Sequence, residues 1–149
     1  SDLLMQQLGK IKSVEKELEK MAKKNKMSVV GLETIEVQMQ TLNSMPVEAG
    51  YMQLMRDLGT EMTEFRRLFT EYKKENLSAL LEMMEKSEGD TPGFTEAFLN
   101  IRNRNWIPEI DKMIKDKSAF IAVGAAHLPG EEGVINLLKK QGYELKAIR

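Results

Sequence analysis

Residues 118–133 read SAFIAVGAAHLPGEEG, and the fold expected for the chain turns on this stretch. Ala119 to Val123 is a continuous apolar run closed by Gly124. A short run of that kind, rich in β-branched and aromatic residues, predicts a strand buried on both faces. Small residues dominate the turn from Gly124 to Gly130. Glu131 and Glu132 stand where a helix begins, because acidic side chains favour a helix's first turn. His127 is the chain's single histidine. It therefore lies between a strand's carboxyl end and a helix's amino end, the edge of an open α/β sheet at which ligands bind.

Two further runs suit the same sheet. Ser28 to Leu32 (SVVGL) is short and apolar, and it follows a helical segment as a βαβ arrangement requires. Glu33 comes directly after it, so a parallel pairing of the two runs brings Glu33 and His127 to one sheet edge. The other reading of Glu33, an ordinary acidic residue in the first turn of the helix carrying Ile35, Met39 and Leu42, stays open. At the carboxyl end, Tyr143, Leu145 and Ala147 alternate with Glu144 and Lys146, the pattern of a half-exposed edge strand over Tyr143–Ile148. The expected fold is α/β and helix-rich: one domain over residues 1–149 with a small sheet of about three strands, part of a larger α/β sheet.

Helical spacing fills the rest. Leu4, Leu8, Ile11, Leu18 and Met21/Ala22 form an amino-terminal stripe, or Ser13 caps a separate helix from Val14 to about Lys24. Residues 46–87 read as a helical insert. Its stripes are Tyr51, Leu54, Met55 and Leu58; Met62, Phe65, Leu68/Phe69 and Tyr72; and Leu77, Leu80/Leu81 and Met84. Thr91 and Pro92 mark the start of a helix with Phe94, Phe98 and Ile101 on one face. Continuing that stripe lands on Arg104 and Asn105. A charge and an amide on the buried side of a helix need partners, so Arg104 belongs to a network or a site, or else it snorkels to solvent. Pro108 is expected to kink or restart this helix.

Composition removes several classes of function. The 22 Lys+Arg and 23 Asp+Glu are intermixed, with no basic stripe for nucleic acid. No cysteine is present, which excludes disulfides, zinc–thiolate sites and thiol nucleophiles. No apolar run reaches membrane-spanning length, and the amino end lacks a signal-peptide pattern. Eleven methionines indicate an adaptable core. The loop lacks the P-loop ending and the glycine spacing of a dinucleotide fingerprint. There is no G-x-S-x-G and no HExxH. One His and one well-placed Glu fall short of the three protein ligands that a metal site ordinarily has.

GAAHLPGEEG, followed by a short helix and Gly-Tyr, resembles the carboxyl-terminal signature of the TraB/GumN family, which includes the TIKI metalloproteases. VVGLETIEVQMQTLNSMP, FRRLFTEYKKENLSALL and RNRNWIPEI resemble further family segments in the same order. The resemblance implies a metal-dependent hydrolase, a peptidase acting on peptide or protein, with a divalent ion such as manganese or cobalt. The family pairs two G-x-x-H motifs with a glutamate and an arginine. Here Gly124-Ala125-Ala126-His127 matches the second motif, Glu33 the glutamate and Arg104 the arginine. On this resemblance His127 binds the metal, Glu33 is a ligand or the general base, and Arg104 stabilises developing negative charge, with Asn105, Gly124 and Gly130 in support. The first G-x-x-H is absent from this sequence, so the chain looks like the carboxyl-terminal half of a family member.

Little catalysis and little bound metal are expected of this chain alone. A missing amino-terminal half, or self-association, is the expected partner, and bacterial relatives point to the cell envelope or export. The alternative reading is a non-catalytic α/β module in which the same residues form a structural network or a ligand pocket.

Overall fold

The computed structural model describes residues 13–43, 66–88, 93 and 95–148. The stripes Leu4–Ile11 and Tyr51–Phe65, the Thr91-Pro92 start and Phe94 lie outside the described residues. The chain divides into two compact units, Ser1–Gly31 and Leu32–Arg149.

In the first unit, helix α1 spans Val14–Lys24. Ser13 caps it, its Oγ accepting the Lys16 backbone N–H at 3.3 Å. Glu15 and Glu17 in the first turn and Lys23 and Lys24 in the last complement the helix dipole. Lys26 then takes a left-handed conformation with φ of 54°, which ends the helix.

The second unit carries the chemistry. Helix α2 is Ile35–Asn43, opened by Thr34, whose Oγ1 accepts from the Val37 N–H at 3.4 Å. Helix α3 covers residues 66–73. Glu75, at φ 57°, breaks it, and the Asn76 side chain caps α4, Leu77–Glu88, by accepting from Ala79 N–H at 3.2 Å. A π-helical turn, Glu96–Asn100, runs directly into α5, Ile101–Asp116. Pro108 sits inside α5 without interrupting it, which leaves the Arg104 carbonyl without its helical donor. A 3₁₀ turn, Ala125–His127, and α6, Val134–Lys140, complete the unit.

The core lies where α5 meets α6. Trp106, Ile107, Ile110 and Val134 are buried together, with Leu32, Ile114, Ile121, Val123, Leu137 and Leu138 packed around them. Tyr143 is tied to α5 by its hydroxyl, which donates to Asp111 Oδ1 at 2.5 Å. Lys115 holds the other Asp111 oxygen at 2.6 Å.

The expected α/β sheet is not there. No strand forms among the described residues, and the fold is helical. Ser28–Leu32, Ala119–Val123 and Tyr143–Ile148 carry no ladder hydrogen bonds, and a strand exists only through its partner's N–H and C=O groups. Val29, Val30 and Ile148 are largely exposed. Along 119–123 the burial alternates: Ile121 and Val123 rest on the core, while Phe120 is 75 % exposed. The apolar run is an extended segment covered on one face, not a strand buried on both. No helix of the described residues is long and apolar enough to cross a membrane.

Ile110 is fully buried and Phe120 is mostly exposed, although both are large apolar residues. Ile110→Ala is expected to lower unfolding free energy by about 2–5 kcal/mol through lost burial and a residual cavity. Phe120→Ala is expected to change it by no more than about 0.5 kcal/mol. Urea denaturation followed by circular dichroism checks both.

Candidate functional site

The site is built on one face of α5. Arg102, Asn103 and Trp106 project toward Glu33 on one side and the 125–133 loop on the other. Arg102 grips Glu33 with two groups: Nη2 donates to Oε1 at 2.5 Å, and Nε lies 3.0 Å from Oε2 and 3.2 Å from Oε1. Its remaining nitrogen, Nη1, donates to the Phe98 carbonyl at 2.9 Å, one turn back along the π-helical segment. Trp106 Nε1–H donates to Glu33 Oε2 at 3.1 Å. The Arg102 guanidinium also lies over the indole, 5.1 Å from the ring centre.

The indole also meets His127. The two ring centres are 4.5 Å apart and tilted by 43°. His127 is buried, and its Nδ1 lies 2.7 Å from Asn103 Oδ1. Asn103, only 1 % exposed, spends its amide group on two backbone carbonyls, Glu132 O at 2.8 Å and His127 O at 3.4 Å. The 3₁₀ turn is closed by His127 N–H donating to Gly124 O at 2.9 Å.

Charge is distributed unevenly across this cluster. Burial raises the Glu33 pKa, but the Arg102 hydrogen bonds and charge, with hydrogen bonds from Trp106 and Gln38, outweigh it and hold the carboxyl below its usual range. For His127, burial comes first and the Arg102 charge second. Against a smaller opposing pull from Glu33, they bring its pKa down to about 4. At neutral pH the site therefore holds an ionised Glu33 paired with Arg102 and, against the same indole, a neutral imidazole.

Arg104 does not take the place expected of it. It is 44 % exposed on its side chain and pairs with Glu96 and, at 2.8 Å, with Glu132 Oε2. Asn105 is exposed as well. The sequence repeats an Arg-Asn dipeptide, Arg102-Asn103 and Arg104-Asn105, and two residues along a helix turn about 200°, so the copies lie on opposite faces. The buried stripe is Leu99, Asn103, Trp106/Ile107 and Ile110, and it selects the first copy. Arg102, Asn103 and Trp106 were not singled out from the sequence. The signal that finds them is this apolar spacing read backward from Ile110.

Gly130 has φ of 88°, and a Cβ there would press on Leu81. Gly133 is more demanding, because a Cβ would fall 2.1 Å from the Pro129 carbonyl oxygen. Gly124 has no such constraint: a Cβ would sit in ordinary contact with the His127 ring.

These residues do not complete a metal site by themselves. Among the described residues no three His, Cys, Asp or Glu side chains converge. Glu33 has its oxygens committed to Arg102 and Trp106, which leaves His127 as the one available donor where about three protein ligands are the rule.

A helical chain whose buried histidine, asparagine, tryptophan and Arg–Glu pair converge on one helix matches a known family at sequence level. The family model of the TraB/PrgY/gumN family matches residues 2–147, nearly the whole length, and the chain belongs to that family. No curated protein and no solved structure matches it.

Two experiments test this arrangement. Arg102→Leu leaves Glu33, 8 % exposed on its side chain, as an unpaired buried carboxylate, and is expected to cost about 3–5 kcal/mol of stability. Arg104→Leu breaks only exposed pairs and should cost no more than about 1 kcal/mol. Urea midpoints at pH 7 separate the two. The second experiment varies pH. The unfolded histidine titrates at its ordinary 6.5 and the folded one at about 4, so between those values the unfolded chain binds the extra proton. Stability is therefore full above pH 6.5, falls as pH drops through that window by up to ~1.4 kcal/mol per unit, and levels off below the folded value. In His127→Asn the slope between pH 6.5 and 5 should flatten.

Proposed function

We propose that this TraB-family chain supplies one half of a hydrolytic centre, with His127 as its functional nitrogen. The observation that carries the reading is a buried imidazole kept neutral beside an ionised Glu33–Arg102 pair. A histidine serving as a salt-bridge cation would instead face a carboxylate. A neutral ring held by an amide is suited to accepting a proton or donating a lone pair. Arg102, in the role first assigned to Arg104, supplies fixed positive charge beside the ring. Glu33 serves as its counter-ion, and Trp106 touches both the pair and the ring.

The substrate class in this reading is a peptide or protein. A divalent ion such as manganese or cobalt enters only with donors beyond His127, carried by a polypeptide that brings the other G-x-x-H motif or by a second copy. No step is assigned to a metal here. A specific observation favours a second reading, a non-catalytic module: every Glu33 oxygen is taken by Arg102 or Trp106, as in a purely structural ion pair.

Titration of the purified chain with manganese(II) or cobalt(II) chloride is expected to give no saturable heat, with or without His127→Ala. Stoichiometric binding that His127→Ala abolishes would overturn the half-site reading, because the donor set would then be complete. Peptide hydrolysis is expected only from a polypeptide that also carries the first G-x-x-H, and His127→Ala should lower it by roughly 10²-fold or more. Unchanged turnover in that variant would favour the module.

A further inference from the structure

We propose that Asn103 is a positioning residue that locks His127 in the Nδ1–H tautomer and so makes Nε2 the ring's reactive atom. The inference rests on the reading of His127 as the functional nitrogen, but it follows from hydrogen-bond logic at Asn103.

A backbone carbonyl can only accept. The Asn103 side chain lies within reach of two, Glu132 O at 2.8 Å and His127 O at 3.4 Å. The amide end facing them must be the NH₂ group, because an oxygen there would oppose two other oxygens in a site 1 % exposed. With the NH₂ group fixed, Oδ1 is the atom that faces His127 Nδ1 at 2.7 Å. Oδ1 also only accepts, so the proton on this contact belongs to Nδ1. With the single proton of a neutral ring placed on Nδ1, Nε2 keeps its lone pair. Nε2 hydrogen-bonds no described residue. Orienting one ring nitrogen through a hydrogen bond at the other is how proteins prepare histidines as ligands or bases. A solvent-exposed neutral histidine side chain prefers the opposite tautomer, Nε2–H, so the Nδ1–H form needs a cause, and Asn103 provides it.

The same amide also holds the loop. Its two carbonyl partners are His127 itself and Glu132, at opposite ends of the Leu128–Glu131 turn. Ring tautomer and loop position are therefore set by one buried side chain on α5.

The test is nitrogen-15 NMR on the whole chain at neutral pH. His127 is the only histidine, so its ring signals need no assignment. The expected spectrum has a pyrrole-type shift at Nδ1 and a pyridine-type shift at Nε2. A pyridine-type Nδ1, or two averaged intermediate shifts, overturns the proposal. In Asn103→Leu, with folding verified by circular dichroism, the shifts should move toward the Nε2–H pattern; an unchanged Nδ1–H spectrum sinks the role of Asn103. If Asn103→Leu does not fold, the parent spectrum decides: an Nδ1 that is not pyrrole-type overturns the proposal. The spectrum reports the tautomer whether or not anything is hydrolysed. A wrong tautomer rejects Asn103 and leaves the hydrolytic reading intact, and absent hydrolysis leaves the tautomer assignment intact.

Discussion

The side chain of Glu33 is 8 % exposed and its carboxyl is held below the usual pKa range, and the second unit is arranged around keeping it ionised. An isolated buried carboxylate would take up a proton or expel itself to solvent. Here a two-pronged guanidinium and an indole N–H satisfy it, and both come from α5 at positions four residues apart. That spacing puts Arg102 and Trp106 on one stripe of the helix. Once the stripe is turned toward Glu33, the rotation of α5 is fixed, and Asn103, about 100° around, must face the interior. Ile107 and Ile110 follow on the stripe of Asn103 and fill the core against α6. The ion pair thus sets the helix phase, and the phase sets which side chains meet the histidine loop.

Trp106 makes the ionised and neutral halves compatible. Its N–H ends on Glu33 and its ring face covers His127. Glu33 on its own would raise the histidine's proton affinity. Because Arg102 neutralises it at hydrogen-bond distance, burial and the guanidinium win, and the ring stays uncharged. Strong charge and a neutral imidazole can share one small region only if the charge is already paired. The π-helical turn at Glu96–Asn100 contributes to this. It places the Phe98 carbonyl where Arg102 Nη1 can reach it, so the guanidinium is held at both ends. Single π turns inside helices recur at functional sites for this kind of reason, because they re-aim side chains without ending the helix.

The histidine loop and Glu33 were legible because their signals are local. One is a small-residue turn after an apolar run, the other an acid at the start of a helix. The α5 partner was not legible in register. Phe94, Phe98 and Ile101 extrapolate to Arg104 and Asn105, but the π turn adds extra residue length between Phe98 and the regular helix, and the true stripe runs through Leu99 and Asn103. The doubled Arg-Asn offers two candidate copies, and the buried stripe of α5 carries the first. The sheet failed for a different reason. β-branched and aromatic content measures suitability for a pleated surface, whereas a strand is defined by hydrogen bonds to another segment. Ala119–Val123 has the composition and only half the burial. Ile121 and Val123 find the core, and Phe120 stays 75 % exposed.

The loop that carries His127 gains its rigidity from backbone constraints as much as from side chains. Gly133 has no room for a Cβ beside the Pro129 carbonyl, and its N–H donates to Gly130 O at 3.2 Å, so the turn closes tightly on itself. Ile135 N–H reaches back to Leu128 O at 3.4 Å and ties the turn to α6. Asn103 then grips the carbonyls at both ends of the same turn from α5. A loop clamped from two helices and closed through a glycine has few ways to move without breaking buried hydrogen bonds, each of which leaves an unsatisfied group worth about 1–3 kcal/mol. A histidine whose ring and backbone are both pinned would need little reorganisation to act as the half-site proposed above. Preorganisation of that kind is what a reactive site requires and what an ordinary surface loop lacks.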